Sequence, residues 1–170
     1  MKKILLTALV VTSFLSAISV GEIPKEVTIE AEDGGLLNNE AWSSTMLKEK
    51  VFVLFYVDPD EKDTNNALSE ALKKRGYDFN QYGTVAIINL AATWLPNFAI
   101  KSSLKSKQEE YPNTTYVKDK TKYLVKEWEL TDDSSDILVF NKKGALIYQF
   151  AGELPPEEID KVLKLIDKNI

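Results

Sequence analysis

A short acidic segment, which runs from Asp58 to Asp63, is the first place where the sequence can support chemistry. Asp58, Asp60 and Asp63 supply hard oxygen ligands at short intervals, and such ligands suit Ca²⁺. The EF-hand spacing is absent, because the sixth position is Asp63 rather than Gly and the twelfth is Ser69. The alternative is structural: Asp58 and Pro59 form a turn, and the acidic side chains favour the N-terminus of the following helix.

A second polar segment, Asp132 to Asp136, combines carboxylates with the hydroxyls of Ser134 and Ser135. Serine needs a neighbouring base to become a nucleophile, and without histidine that base is a lysine or a carboxylate. The segment is therefore interpreted as a binding loop, with a plain polar turn as the alternative. In an open α/β sheet, ligands bind beyond the carboxyl ends of the strands, so we expect both segments to meet at that edge.

Trp94 is the third candidate. It is followed by Leu95 and Pro96, with Phe98 close by in the sequence. An exposed aromatic patch beyond a central strand suits a protein or peptide partner. The alternative is that Trp94 packs over the end of the sheet.

Cysteine and histidine are both absent from the 170 residues. Thiol redox chemistry, cysteine or histidine nucleophiles, the Ser-His-Asp arrangement and ordinary zinc sites all require a thiolate or an imidazole. With 26 acidic and 21 basic residues, the chain has a formal net charge of −5, which disfavours binding to nucleic acid or to an anionic membrane surface. Carboxylate, hydroxyl, amine and hard-metal chemistry remain, and we predict no cofactor.

The N-terminus has the pattern of a secretory signal. Lys2 and Lys3 are followed by an apolar run from Ile4 to Leu15 and then by small residues. The signal is predicted to span 1–19 with cleavage after Ser19, within the window 17–21. The apolar run is shorter than the ~20 residues of a spanning helix, so we predict no membrane anchor after cleavage. The sequence therefore predicts Sec-type export to the periplasm and a single domain over 22–170.

Alternating and continuous apolar patterns predict the order of the structural elements. Runs of β-formers indicate strands buried on both faces, and apolar residues at 3.6-residue spacing indicate helices, the first capped by Asp63 or Thr64 and ended by Gly76. The predicted order is an edge strand or hairpin at 27–32, a strand at 51–57, a helix at 64–75, a strand at 84–90, a helix at 97–110, a hairpin of strands 137–140 and 145–150, and a helix after 155. This order predicts an α/β, thioredoxin-like fold: a central mixed sheet flanked by helices, with an N-terminal β extension.

The C-terminal part of the chain resembles the YtfJ family of small exported bacterial proteins. The resemblance is carried by Lys101-Ser102-Ser103-Leu104, Tyr111-Pro112, Trp128-Glu129-Leu130-Thr131-Asp132-Asp133-Ser134-Ser135, Lys143-Gly144, Leu154 and Pro156-Glu157-Glu158. It implies a thioredoxin-like fold and a periplasmic location, and the family has no agreed biochemical role. Redox members of that fold carry Cys-x-x-Cys after the first central strand, and this chain has the segment 58–66 at that position. They also carry a cis-proline, and this chain has Ser135 or Asp136 at the corresponding position. Disulfide oxidoreductase and thiol peroxidase activities are therefore excluded.

These observations favour an exported protein that binds a protein partner or a small ligand at the strand-end edge, without catalysis. One alternative is a Ca²⁺-dependent or carboxylate- and serine-based enzyme at the same edge. Another is an accessory envelope or stress protein.

Overall fold

The computed structural model describes residues 18–170, except for the side chains of Asn97 and Lys101. The predicted signal segment lies outside the described residues up to position 17. Over 18–170, no helix has both the length and the apolar character that crossing a membrane requires.

Strands and helices alternate through most of the described chain. The strands are β1 (Thr28–Ile29), β2 (Gly34–Leu36), β3 (Trp42–Ser43), β4 (Val51–Val57), β5 (Tyr82–Asn89), β6 (Thr114–Asp119), β7 (Ser135–Phe140) and β8 (Leu146–Ala151). The α-helices are α1 (Asn66–Arg75), α2 (Asn97–Glu110), α3 (Tyr123–Trp128) and α4 (Pro156–Asn169).

Six of the strands form one mixed sheet in the order β2-β6-β5-β4-β7-β8. β4 pairs in parallel with β5, and β5 with β6, whereas β7 runs antiparallel to β4. β4 lies near the centre because its seven residues are all β-formers that can be buried on both faces. The carboxyl ends of β4, β5 and β6 therefore meet the start of β7 at one edge of the sheet.

Alternate residues of β4 face two separate hydrophobic cores. Val53 and Phe55 pack with α1 and α4, whereas Leu54 and Tyr56 pack with α3 and the N-terminal extension. Burying the apolar face of α4 contributes roughly 1.5–3 kcal/mol for each large aliphatic side chain, such as Ile166. The side chain at position 58, next after Val57, consequently falls on the α3 side.

Most of the predicted elements are confirmed. The strands at 51–57 and 84–90, the helix at 97–110, the hairpin and the C-terminal helix are all present, and Gly76 ends α1 with a φ of 62°. The predicted side-chain cap of α1 is wrong, since its N-cap is Asn65 and no side-chain capping bond forms.

The N-terminal extension and the region 114–128 differ from the prediction. β1 pairs with β3 in a separate two-stranded sheet, and Gly34 and Gly35, which lie beyond the predicted strand at 27–32, form the edge strand β2 against β6. β6 and α3 were not predicted, because β6 mixes polar and apolar residues and α3 has only six residues.

Candidate functional site

The predicted meeting of the two polar segments occurs where β4 ends and β7 begins. The backbone amide of Asp58 donates to the carbonyl oxygen of Ser134 at 3.1 Å, and the amide of Ser134 donates to Asp58 Oδ2 at 3.0 Å. Asp58 is only 2% exposed, and its second oxygen, Oδ1, has no hydrogen-bond partner. The strand-end edge therefore holds a buried carboxylate with one oxygen free.

Two further carboxylates and an amide gather around Asp58. Asp58, Asp132 and Asp133 each offer an oxygen, and these oxygens lie within 4.8 Å of one another. Asn89, the fully buried last residue of β5, donates from Nδ2 to Asp132 Oδ1 at 3.2 Å, while its own Oδ1 has no partner. The Lys122 ammonium lies 2.5 Å from Asp132 Oδ2. We call Asp58, Asn89, Asp132 and Asp133 the strand-end cluster.

Burial and charge give the carboxylates of this cluster different acidities. Burial raises the pKa of Asp58 to about 6, and the carboxylates of Asp132 and Asp133 add to the rise, although the neighbouring amide of Asn89 and the hydrogen bond from the Ser134 backbone amide oppose it. The hydrogen bond from Lys122 lowers the pKa of Asp132. Asp132 is therefore firmly ionised around neutral pH, whereas Asp58 becomes ionised only as the pH rises through about 6.

The other two acids of the first predicted segment lie away from Asp58. Asp60 is exposed in a 3₁₀ turn, and Asp63 pairs with the ammonium groups of Lys62 at 2.8 Å and of Lys107 at 3.3 Å. The hydrogen bond from Lys62 is the largest of the effects that lower the pKa of Asp63 to about 2. Asp58, Asp60 and Asp63 do not converge on one ion, because the turn after β4 carries Asp63 to the α2 side of the sheet.

Ser135 is buried and hydrogen-bonded within the fold. It is 1% exposed, and its hydroxyl accepts a hydrogen bond from Asn65 Nδ2 at 2.9 Å. Asn65 also donates to the carbonyl of Gly152 at 3.0 Å and accepts from the amide of Leu154 at 2.9 Å. The amide of Asn65 thus joins the start of α1 to β7 and to the segment before α4.

Trp94 is 87% exposed and Phe98 is 77% exposed. Of the two alternatives for Trp94, the structure supports exposure rather than packing over the sheet end. Trp94 precedes α2, and its neighbour Leu95 lines a cavity beneath that helix.

The cavity lies between α1, α2 and the sheet, and its volume is about 640 Å³. Phe55, Ala86 and Ile88 form part of its floor, whereas Ile100 and Leu104 of α2 line the opposite wall. No described side chain of α2 is fully buried, in contrast to α1 and α4. α2 therefore covers the sheet without filling the space beneath it, and we call this space the α2 cavity.

Three of the polar side chains around the α2 cavity already have partners within the protein. The hydroxyl of Tyr82 lies 2.7 Å from Thr84 Oγ1, and that of Tyr116 donates to the carbonyl of Lys107 at 2.9 Å. Burial raises the pKa of Tyr116 to about 12, so its hydroxyl stays neutral. The ammonium of Lys107 is held by Asp63 and by Asn66 Oδ1 at 3.0 Å. The cavity consequently presents mainly apolar surface.

The family described as "Bacterial protein of unknown function (YtfJ_HI0045)" matches residues 12–169. The chain belongs to the YtfJ family. A relative, "Uncharacterized protein YtfJ" of Escherichia coli K12, is 30% identical over 133 residues, which cover 76% of this chain and 72% of the relative. An uncharacterized protein of Haemophilus influenzae is 24% identical over 131 residues, or 75% of this chain and 71% of that protein.

Solved structures similar to this YtfJ family member are thioredoxin-like. A thiol-disulfide isomerase from Corynebacterium glutamicum has a TM-score of 0.59 at 17% identity, covering 82% of this chain and 95% of the isomerase. The thioredoxin domain of a thiol-disulfide oxidoreductase from Bacteroides vulgatus has a TM-score of 0.55 at 15% identity, covering 88% of this chain and 99% of that domain. At these identities the likeness shows the fold alone. The thioredoxin-like fold predicted from the sequence is confirmed.

This YtfJ family member has the thioredoxin-like fold without a thiol. Its sequence contains no cysteine, and the segment after β4 begins with the buried carboxylate of Asp58. Disulfide exchange needs an attacking thiolate, which none of the 170 residues supplies.

Three polar residues near the strand ends of this YtfJ family member were missed by sequence reasoning. Asn89 ends β5 and Lys122 follows β6, and both lie beside the predicted segments. Asp119, which ends β6, is fully buried and accepts hydrogen bonds from the Tyr56 hydroxyl at 3.0 Å and from the backbone amide of Tyr123 at 2.8 Å. The rule that selected Asp58, a polar residue at the carboxyl end of a parallel strand, also selects Asn89.

Proposed function

We propose that this chain is an exported, periplasmic binding protein without redox activity, which holds a small, neutral, mainly apolar molecule in the α2 cavity. The observation that carries the proposal is the apolar space of about 640 Å³ beneath a helix that buries none of its described side chains completely.

The size of the cavity supports a ligand rather than a packing defect. Ligand pockets in proteins typically have volumes of about 300–1,000 Å³, and interiors otherwise contain few voids larger than a water molecule. A space of about 640 Å³ falls within the range of ligand pockets. An empty apolar space also costs stability, because its lining side chains lack neighbours to contact.

The polarity of the walls supports a neutral ligand. The Tyr82 and Tyr116 hydroxyls are paired with protein atoms, and the Lys107 ammonium is neutralised by Asp63. A charged ligand would find no free counter-charge among these groups, and burying an unpaired charge is expensive. An apolar ligand gains about 25 cal/mol for each Å² that it removes from water.

Displacement of α2 gives the ligand access to the α2 cavity. Segments with few buried apolar contacts open at low free-energy cost. α2 contributes only partly buried side chains, such as Ile100 and Leu104, so its displacement breaks little of the core. We therefore assign α2 the role of a movable cover over the cavity.

The export part of the proposal rests on the N-terminal pattern. Lys2, Lys3 and the apolar run from Ile4 to Leu15 are the signal features, and an apolar carrier or sensor in the periplasm needs neither a thiol nor a nucleophile. An intact mass that still included residues 1–17 in the exported protein would overturn this part.

A protein partner is a second candidate ligand because Trp94 is 87% exposed and Phe98 is 77% exposed. Aromatic side chains are the residues that most often dominate interfaces. Trp94→Ala distinguishes the two candidates. If the α2 cavity is the binding site, this variant keeps its affinity for a small apolar probe, since Trp94 does not line the cavity.

Fluorescence titration with N-phenyl-1-naphthylamine, a neutral apolar dye, tests the proposal. Ala86→Phe fills the cavity floor, and we expect it to weaken dye binding at least about tenfold, the equivalent of about 1.4 kcal/mol. Ala41→Phe is the control, because Ala41 is exposed on the N-terminal extension and does not line the cavity.

A second pair of variants keeps the proposal testable if Ala86→Phe fails to fold. Ser103→Phe fills the cavity from the α2 side, whereas Ser102→Phe adds the same ring at an exposed position that does not line it. We expect dye binding to fall with the first and persist with the second. Absence of dye binding by the unaltered protein, or equal binding by all four variants, would contradict the proposed function.

A further inference from the structure

The spacing of the strand-end cluster matches the coordination shell of a hard cation. Ca²⁺ holds its oxygen ligands at about 2.3–2.6 Å, so two ligands of one ion lie at most about 5 Å apart. The oxygens that Asp58, Asp132 and Asp133 offer all lie within 4.8 Å of one another. One ion can therefore contact all three carboxylates without rearrangement of the backbone.

A buried oxygen without a partner points to a missing ligand. Asp58 is 2% exposed, and its Oδ1 accepts no hydrogen bond. Asn89 beside it is fully buried, and it directs its Nδ2 rather than its unpartnered Oδ1 at the cluster. Buried polar atoms are almost always satisfied, and an unsatisfied one costs about as much as a lost hydrogen bond or more, so such atoms indicate an ion or water.

The amide of Asn89 can complete the shell. Its Nδ2 donates to Asp132 Oδ1 at 3.2 Å. A half-turn of the amide exchanges its nitrogen and oxygen, and the oxygen would then face the carboxylates. Such an arrangement is repulsive in the absence of a cation and favourable with one.

The charge balance indicates a divalent ion. Three carboxylates carry three negative charges, and the ammonium of Lys122, 2.5 Å from Asp132 Oδ2, neutralises one of them. Two negative charges remain. All donors are oxygens, and such donor sets suit Ca²⁺, Mg²⁺ or Mn²⁺ rather than softer metals.

We infer that Asp58, Asn89, Asp132 and Asp133 form a binding site for a divalent hard cation, with Ca²⁺ the best fit because two of the carboxylates lie on an adaptable, partly exposed loop. The bound ion ties the ends of β4 and β5 to the segment before β7. The site lies on the α3 side of the sheet, opposite the α2 cavity, and it does not depend on the proposed apolar ligand.

Calorimetric titration of the whole protein with CaCl₂ tests this site, together with thermal melting at the same concentrations. Extracellular calcium modules bind with dissociation constants of about 10⁻⁴–10⁻³ M, so titration to about 10 mM covers the expected range. We expect saturable heat and a rise in melting temperature with the ion, since a ligand that binds the folded state stabilises it.

Paired variants locate the ion. Asp58→Asn and Asp133→Asn are expected to abolish saturable binding, and Asp133 is exposed, so its variant should retain the fold. Asp60→Asn is the control, because it removes an exposed carboxylate outside the cluster. Lys122→Met removes the competing ammonium, and we expect about threefold to fivefold tighter binding.

Three outcomes would overturn the site. They are no saturable binding to the unaltered protein at about 10 mM CaCl₂, equal binding by Asp133→Asn, and loss of binding in Asp60→Asn. Dye binding in the α2 cavity should be unaffected by Asp133→Asn, so failure of the cation site is distinguishable from failure of the proposed function.

Discussion

The amide of Ser134 donates to Asp58 Oδ2 at 3.0 Å, while the amide of Asp58 donates to the carbonyl of Ser134 at 3.1 Å. This reciprocal pair continues the β4–β7 ladder by one residue beyond Val57 and Ser135. It fixes a carboxylate at the strand end of a thioredoxin-like fold that has no thiol. Because the pair satisfies only one carboxylate oxygen, the other is buried and free, and Asp58 is costly to ionise.

Asp58 is expected to make stability depend on pH. The pKa of Asp58 is about 6 in the folded protein and near 3.8 ordinarily, so the folded state binds the proton more tightly than the unfolded state. The resulting contribution to the free energy of unfolding is fully present below about pH 4 and is lost as the pH rises through about 6. A shift of this size corresponds to at most about 3 kcal/mol. Urea unfolding in metal-free buffer at about pH 4 and about pH 7 measures the loss.

Asp58→Asn supplies the control for the pH dependence. The asparagine keeps the shape and cannot ionise, so the difference in unfolding free energy between the unaltered protein and the variant should change across this range in favour of the variant. A difference that stays constant from about pH 4 to about pH 7 would mean that Asp58 does not titrate with a raised pKa.

Asn65→Ala is expected to destabilise the fold. Asn65 hydrogen-bonds Ser135, Gly152 and Leu154, and its removal leaves buried polar groups unpaired. We expect a loss of about 2–4 kcal/mol in unfolding free energy, measured by urea denaturation. Asn80→Ala, at an exposed position, should change stability by less than about 0.5 kcal/mol. Similar losses for both variants would count against the bridging role of Asn65.

Gly34→Ala is expected to detach the edge strand β2. Gly34 has a φ of 134°, and an added Cβ would lie 1.8 Å from the carbonyl oxygen of Lys118 on β6. Gly76→Ala is the control. Gly76 has a φ of 62°, and no atom lies within 4 Å of a Cβ added there, so this variant suffers only backbone strain of about 1–2 kcal/mol. Amide hydrogen exchange should show lost protection in β2 and β6 for Gly34→Ala only. Retained protection there would contradict this account.

The sequence was sufficient to predict the central strands and the helices with clear apolar faces. Val51–Val57 has no polar residue, and the face of α4 that contains Val162 and Ile166 is apolar at helical spacing. It did not predict β2, because two glycines indicate a turn, and only the close approach to Lys118 explains them as a strand.

The candidate site was predictable only in part. Asp58, Ser134 and their meeting at one edge follow from the rule for strand ends, whereas the grouping of Asp58 with Asp63 does not hold. The direction of the turn after β4 decides which side of the sheet each carboxylate takes, and short turns leave that direction open in the sequence. The α2 cavity was also missed, because a partly buried helix and a packed one share the same apolar spacing of Ile100 and Leu104.

Intermolecular nuclear Overhauser effects from bound N-phenyl-1-naphthylamine to the protein test the central claim most directly. If the α2 cavity holds the apolar ligand, the dye should show contacts to the methyl groups of Ala86, Ile100 and Leu104, which line the cavity. Contacts confined to the exposed rings of Trp94 and Phe98, or no contacts under conditions that saturate the dye signal, would contradict it.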